Sequence, residues 1–186
     1  MQGVARGEMA GLEALLTRYK DRMLGYLTRT VQDQALAEDL FQETFLRVYR
    51  SRESYRFPLK FSTWLYTIAR NLCLNELEKK GVRKSVLLHA GREDMEGDGL
   101  ALEETLAAPG PDPLALLQDE ERRGMVVKAM GELPEEQRTV LHLTAYEEMG
   151  YEEIAGILGC TRGALKVRVH RAYRALEGKL RKMLEG

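Results

Sequence analysis

The sequence predicts an all-α protein: two small helical domains joined by an acidic flexible linker, the C-terminal one a helix-turn-helix. Three observations carry this prediction. Apolar residues recur every three or four positions along most of the chain, and no β-alternation, internal repeat or coiled-coil heptad competes. The pattern fails from about Ser85 to Pro113, where Gly91, Gly97, Gly99, Gly110 and three of the five prolines (Pro109, Pro111, Pro113) gather. Beyond it, Tyr151 to Arg174 read as a short helix, a glycine break and a second helix. The expected domains are residues 1–84 and 114–186, with residues 85–113 as the linker.

In chain order, Leu12, Leu15, Leu16, Tyr19, Met23, Leu24 and Leu27 mark a first helix. Leu36, Leu40, Thr44 and Val48 mark a second, with Phe41 and Phe45 widening its apolar face. A third, from about Ser62 to Lys80, carries Leu65, Ile68, Ala69 and Leu72, and Gly81 suits its end. Within the linker a short helical turn is expected around Leu100 to Leu106. Periodicity returns at Leu114, Leu117, Val126, Val127 and Met130, and Pro134 fits the first turn of a helix holding Val140, Leu141 and Thr144.

In the last segment, Ile154, Ala155 and Leu158 give a short helix one apolar face. Gly159 breaks it, because glycine takes a left-handed backbone without steric cost. Thr161 suits the cap of the next helix, whose Leu165, Val169, Ala172 and Leu176 form a buried stripe. Gly163, Lys166, Val167, His170, Arg171 and Arg174 stand opposite. A basic outer face on the second helix of a helix-turn-helix fits the DNA major groove, whereas an ordinary αα-hairpin would leave it solvated.

Charge sharpens that choice. The net charge of −1 hides blocks: residues 47–92 hold 11 Lys/Arg against 3 Asp/Glu, residues 93–121 none against 10, and residues 159–186 hold 8 against 2. Phosphate contacts depend on local charge, so two separated basic blocks suggest two contacts with one nucleic acid. With 186 residues, 44% of them hydrophobic, the chain can build two small cores. No apolar run reaches the ~18 residues of a membrane span, and the N-terminal sequence lacks a secretion-signal pattern. Cys73 and Cys160 are far apart without metal-ligand spacing, so buried, reduced thiols in a cytoplasmic protein are expected.

Two further constellations stand out. Trp64, Thr67, Asn71 and Asn75 share one stripe of the third helix, away from its apolar one, and just upstream lie Tyr55, Arg56, Phe57, Lys60 and Phe61. Rings stack on unpaired bases, amides read base edges and cations hold the backbone. Trp64 as core and the asparagines as surface filler is the plainer alternative, and the surrounding net +8 block tips the balance towards melted DNA. On the second helix, Asp39, Gln42 and Glu43 project from a face distinct from Leu40 and Thr44. Such residues are usually just solvated, though they suit a basic partner helix too.

These segments resemble a known family. AEDLFQETFLRVYR is similar to the polymerase-clamp-binding helix of bacterial RNA polymerase sigma factors of the extracytoplasmic-function (ECF) group, sigma-70 family. FSTWLYTIARNLCLNELEKK resembles the segment that opens and reads the minus-ten element. LPEEQRTVLHLTAYEEMGYEEIAGILGCTRGALKVRVHRAYRAL resembles the domain that reads the minus-thirty-five element. The resemblance covers nearly the whole chain, and the acidic linker corresponds in location to the segment threading the RNA exit path.

The resemblance implies roles. Asp39, Gln42 and Glu43 match residues that, with Leu40, grip the coiled coil of the largest polymerase subunit, which replaces the solvated-face reading. Tyr55 and Asn71 match positions near the pocket for a flipped-out minus-ten base, and Trp64 sits beside the strand-separation point. Lys60, Phe61 and Asn75 belong to the same surface. Lys166, Val167, His170 and Arg171 match the major-groove readers, with Thr161, Arg162 and Arg174 beside them, while Arg168 pairs internally or touches a phosphate. The implied partners are core RNA polymerase, duplex and melted promoter DNA, and an anti-sigma factor. No cofactor, metal or chemical step is expected in this polypeptide. Two rival classes are a dimeric helix-turn-helix regulator acting on operators without polymerase, and a nucleic-acid enzyme. The first lacks a visible dimerisation helix. The second lacks a catalytic cluster, since His89, His142 and His170 are scattered.

Overall fold

The computed structural model describes residues 9–56, 58–79, 120–147 and 149–185. The expected linker, the turn around Leu100 to Leu106, and Leu114 and Leu117 lie outside the described residues. Among the described residues all regular structure is helical, in two compact units.

In the first unit, α1 (Met9–Val31), α2 (Gln34–Arg50) and α3 (Phe61–Lys79) pack pairwise as a three-helix bundle. Two residues turn the chain from α1 into α2. Gln32 takes a left-handed backbone (φ 55°) and donates its N–H to the Thr28 carbonyl at 2.9 Å. Asp33 is extended and caps α2, its carboxylate accepting from Leu36 N–H at 3.1 Å, which satisfies one of the orphan donors of a helix start. Met23, Tyr26 and Leu27 of α1, Ala37, Leu40, Phe45 and Val48 of α2, and Leu65, Tyr66 and Ala69 of α3 fill the interior. The Tyr26 and Tyr66 rings meet edge-on at 5.2 Å, an arrangement that adds about 0.5–1.5 kcal/mol to the burial itself. Thr44 enters this core because its hydroxyl donates to the Leu40 carbonyl at 2.6 Å. Ile68 is only half-buried, since Leu65, Ala69 and Leu72 already occupy the inward arc.

Further along, the chain forms α4 (Glu120–Gly131), α5 (Glu135–Leu141), a π-helical turn (His142–Tyr146), α6 (Tyr151–Leu158) and α7 (Arg162–Glu185). Helices α4 and α5 both pack on α7. Val126, Ala129, Met130, Val140, Leu141 and Leu143 are buried, as are Leu165, Val169, Ala172 and Leu176, the stripe expected of α7. Val127 is exposed although it belongs to the apolar repeat. Neighbours on a helix point about 100° apart, and Val126 takes the inward position. Pro134 precedes α5 as its N-cap instead of opening its first turn: its extended backbone aims its carbonyl at Arg138 N–H, 3.0 Å away. Glu135 and Glu136 then supply the negative charge that a helix start favours. Arg138 is buried and donates to the Leu133 carbonyl at 3.0 Å. Its burial lowers its pKa, and the Glu135 carboxylate pulls the other way. Lys179 meets Glu132 at 3.0 Å, tying the end of α4 to α7.

Candidate nucleic-acid and partner interfaces

On α2, Asp39 and Gln42 are exposed and Glu43 is half-exposed, one turn apart on the outer face. Leu40 stands apart from them, turned into the bundle and 4% exposed, so the surface on offer is the polar trio. Arg47 Nε lies 2.8 Å from Glu43 Oε1. This hydrogen bond, more than the charges of Arg47 and Arg50, holds the Glu43 carboxyl below its usual pKa against an opposing effect of desolvation. Leu46 continues the ridge and is itself exposed. The result is an anionic ridge with an apolar end, suited to a cationic helix.

Between α2 and α3 the chain makes a 3₁₀ turn, Arg52–Ser54, that brings Tyr55 back over the start of α3. The Tyr55 ring is 5.3 Å from Trp64 and 6.5 Å from Phe61, and Phe61 is 6.2 Å from Trp64. The Tyr55 hydroxyl donates to the Leu59 carbonyl, which closes the loop. All three rings are half-buried, so Trp64 is neither plain core nor free surface. Asn71 and Asn75 are exposed further along the stripe and Lys60 is exposed at its start. Thr67 turns its hydroxyl to the Thr63 carbonyl at 2.7 Å and so leaves the polar set. Sequence reasoning missed Tyr19 of α1, whose ring packs 5.4 Å from Phe61 and extends the aromatic row. The available signal was its amphipathic ring at the edge of the α1 apolar face.

Between α6 and α7, Gly159 has φ +66° and no atom within 4 Å of a built Cβ, so backbone conformation alone calls for glycine there. Cys160 N–H bonds the Ala155 carbonyl at 3.1 Å, and Thr161 Oγ1 accepts from Ala164 N–H at 3.2 Å, capping α7 as expected. Thr161, Arg162, His170, Arg171 and Arg174 are exposed; Lys166, Val167 and Arg168 are half-buried. Arg162 lies 3.5 Å from Glu152 and Arg174 3.5 Å from Glu177. Such exposed pairs are worth only about 0.2–1 kcal/mol, so a phosphate can displace either carboxylate.

His142 and Glu147 form a buried pair that the sequence did not suggest. His142 Nε2 is 3.4 Å from Glu147 Oε1, and the imidazole stacks on Tyr146 at 5.1 Å. Glu147 N–H also bonds the His142 carbonyl, so the pair closes the π-helical turn. A five-residue spacing matches neither the helical nor the strand period, which is why pattern reading passed over it. Cys73 is buried and Cys160 half-buried, and the two are not joined in a disulfide. Among the described residues no group of three His, Cys, Asp or Glu could hold a metal ion, and no helix is long and apolar enough to cross a membrane.

Comparison with known proteins covers both units. The family model for Sigma-70 region 2 matches residues 15–83, and that for Sigma-70, region 4 matches residues 123–176. The RNA polymerase sigma-H factor of Pseudomonas aeruginosa is 34% identical, over 99% of this chain and 93% of its own. The ECF RNA polymerase sigma-E factor of Escherichia coli is 31% identical, over 99% and 94%. The fold is shared with the sigma factor RpoE, solved with the anti-sigma factor NepR from Bartonella quintana (TM-score 0.64, 23% identity, 91% of this chain and 96% of that one). It is shared also with CnrH, solved with the cytosolic domain of CnrY (TM-score 0.65, 20% identity, 99% and 94%).

Proposed function

Because the chain belongs to the ECF group of sigma-70-family RNA polymerase sigma factors, we propose that the three surfaces described above divide the work of promoter-directed initiation. Residues 1–84 bind core polymerase through Asp39, Gln42 and Glu43, then capture the minus-ten element through Tyr55, Lys60, Phe61, Trp64, Asn71 and Asn75. Residues 114–186 read the minus-thirty-five element through α7, with residues 85–113 as the connecting segment. The polypeptide contributes no chemical step; core polymerase forms the phosphodiester bonds. Binding energy does the work instead: bases stacked on the aromatic row offset the cost of leaving the duplex, while α7 holds the neighbouring duplex through its major groove. An anti-sigma factor is the expected regulatory partner, as in the complex of RpoE with the anti-sigma factor NepR, whose sigma factor shares this fold.

The observation that supports this reading most is the half-buried aromatic cluster at the start of α3, flanked by Lys60 and the exposed asparagines. Sequence selection with reconstituted holoenzyme tests the duplex-reading part. Arg171 reads a base and Arg174 holds a phosphate in this account. Arg171→Ala should relax preference at one upstream base pair at a cost of about 1–3 kcal/mol, whereas Arg174→Ala should weaken all sequences alike and lower the salt slope by about one. An unchanged selected motif with Arg171→Ala would overturn the base-reading assignment.

A further inference from the structure

The aromatic row does not end at the loop. It runs from Trp64 through Phe61 to Tyr19 on α1, and the Arg18 guanidinium lies over the Tyr19 ring, 5.8 Å from its centroid. Arg18 is exposed. Helical spacing places Arg18, Arg22 and Arg29 on one stripe of α1, adjoining the edge that carries Tyr19. Gly25 lies on the same stripe: a Cβ there would come within 2.7 Å of Arg29 Nη1, so the Arg29 side chain folds back along bare backbone and adds its charge to the stripe. Block sums conceal this feature, because residues 1–46 as a whole carry more acids than bases.

We propose that Arg18 is a phosphate contact for the melted promoter strand, gripping the backbone next to the bases that stack on the Tyr55–Phe61–Trp64 cluster. The proposal rests on the base-capture reading above and deepens it. A stacked base leaves its phosphodiester at the rim of the stacking surface, and strand binding couples ring platforms to a cationic track beside them. Arginine suits that position better than lysine in one respect. Its planar fork lies flat on a ring and still presents N–H donors at its edge to phosphate oxygens. Arg22 and Arg29 raise the local positive potential that draws the strand to this side of the bundle.

The test uses holoenzyme reconstituted from core polymerase and the full chain, bound to a fork-junction DNA. The DNA carries a promoter sequence that this holoenzyme selects from genomic fragments, with its minus-ten region single-stranded. Affinity is measured against salt for wild type, Arg18→Gln, Arg18→Lys and Asn71→Ala. Arg18→Gln is expected to lower the salt slope by about 0.7–0.9, which makes the affinity loss between about 50 and 200 mM salt about threefold smaller. Arg18→Lys should retain the wild-type slope, because it keeps the charge. A wild-type slope in Arg18→Gln overturns the proposal even if affinity falls, since packing on Tyr19 alone would produce that result. Loss of binding with Asn71→Ala alongside it would leave the base-capture reading standing. No change with either variant would overturn both.

Discussion

Combining Asp39→Arg, Gln42→Ala and Glu43→Arg is expected to weaken binding to core polymerase by about 100-fold or more in a competition assay. Removing one partner of a desolvated, hydrogen-bonded charge pair costs about 2–5 kcal/mol, and reversing its sign adds repulsion; about 2.8 kcal/mol is already 100-fold. The fold should survive. Asp39 and Gln42 are exposed, Leu40 and Thr44 keep their buried places, and the Asp33 cap is untouched. The pair lost with Glu43 is an exposed i,i+4 contact to Arg47, a kind that contributes little to folding because water and salt screen it. Because that contact holds the Glu43 carboxyl below its ordinary range, Glu43 should keep its charge on mild acidification. Unchanged affinity in the triple variant would remove the ridge from the polymerase interface.

Tyr55→Ala with Asn71→Ala should suppress promoter opening while sparing duplex binding by α7. Stacking is worth about 1–3 kcal/mol per base by truncation, so open-complex formation should fall by about tenfold or more on duplex promoters. On a template whose bubble is already melted and carries abasic sites at the captured positions, the same variant should differ little from wild type. Permanganate footprinting of both templates measures the contrast, and normal melting on the duplex would count against the pocket. Tyr55 touches both Trp64 and Phe61, so its removal loosens three rings together. A thermal melt followed by circular dichroism separates that effect: an unfolding midpoint close to wild type keeps the loss of opening attributable to base capture.

The sequence declared most of what is periodic. The α7 stripe of Leu165, Val169, Ala172 and Leu176 is buried as its spacing requires, Gly159 adopts the left-handed turn, and Thr161 caps the helix. The third helix begins within one residue of its expected start. What it concealed are contacts between elements and departures from period. Tyr19 looked like one more apolar position of α1 until α3 placed Phe61 against it. Val127 and Ile68 fell in apolar repeats, yet Val127 is exposed and Ile68 only half-buried, because a helix of this size offers only one inward arc and their neighbours fill it. The His142–Glu147 pair depends on a π-helical turn, whose five-residue reach no amphipathic pattern announces. Of the candidate surfaces, residue identity pointed to the cations and acids. Helical spacing also set Leu40 and Thr44 on a face apart from Asp39 and Gln42, and the first two are buried while the other two are exposed.

The central claim is that this chain directs core polymerase to promoters, and run-off transcription on genomic fragments tests it most directly. Core polymerase with the wild-type chain should yield discrete transcripts from a subset of fragments. Core alone, or core with the Asp39→Arg, Gln42→Ala, Glu43→Arg variant, should yield none of them. The contradicting result is a homodimer of this chain that binds a palindromic operator tightly without polymerase, while adding the chain to core polymerase changes no transcript.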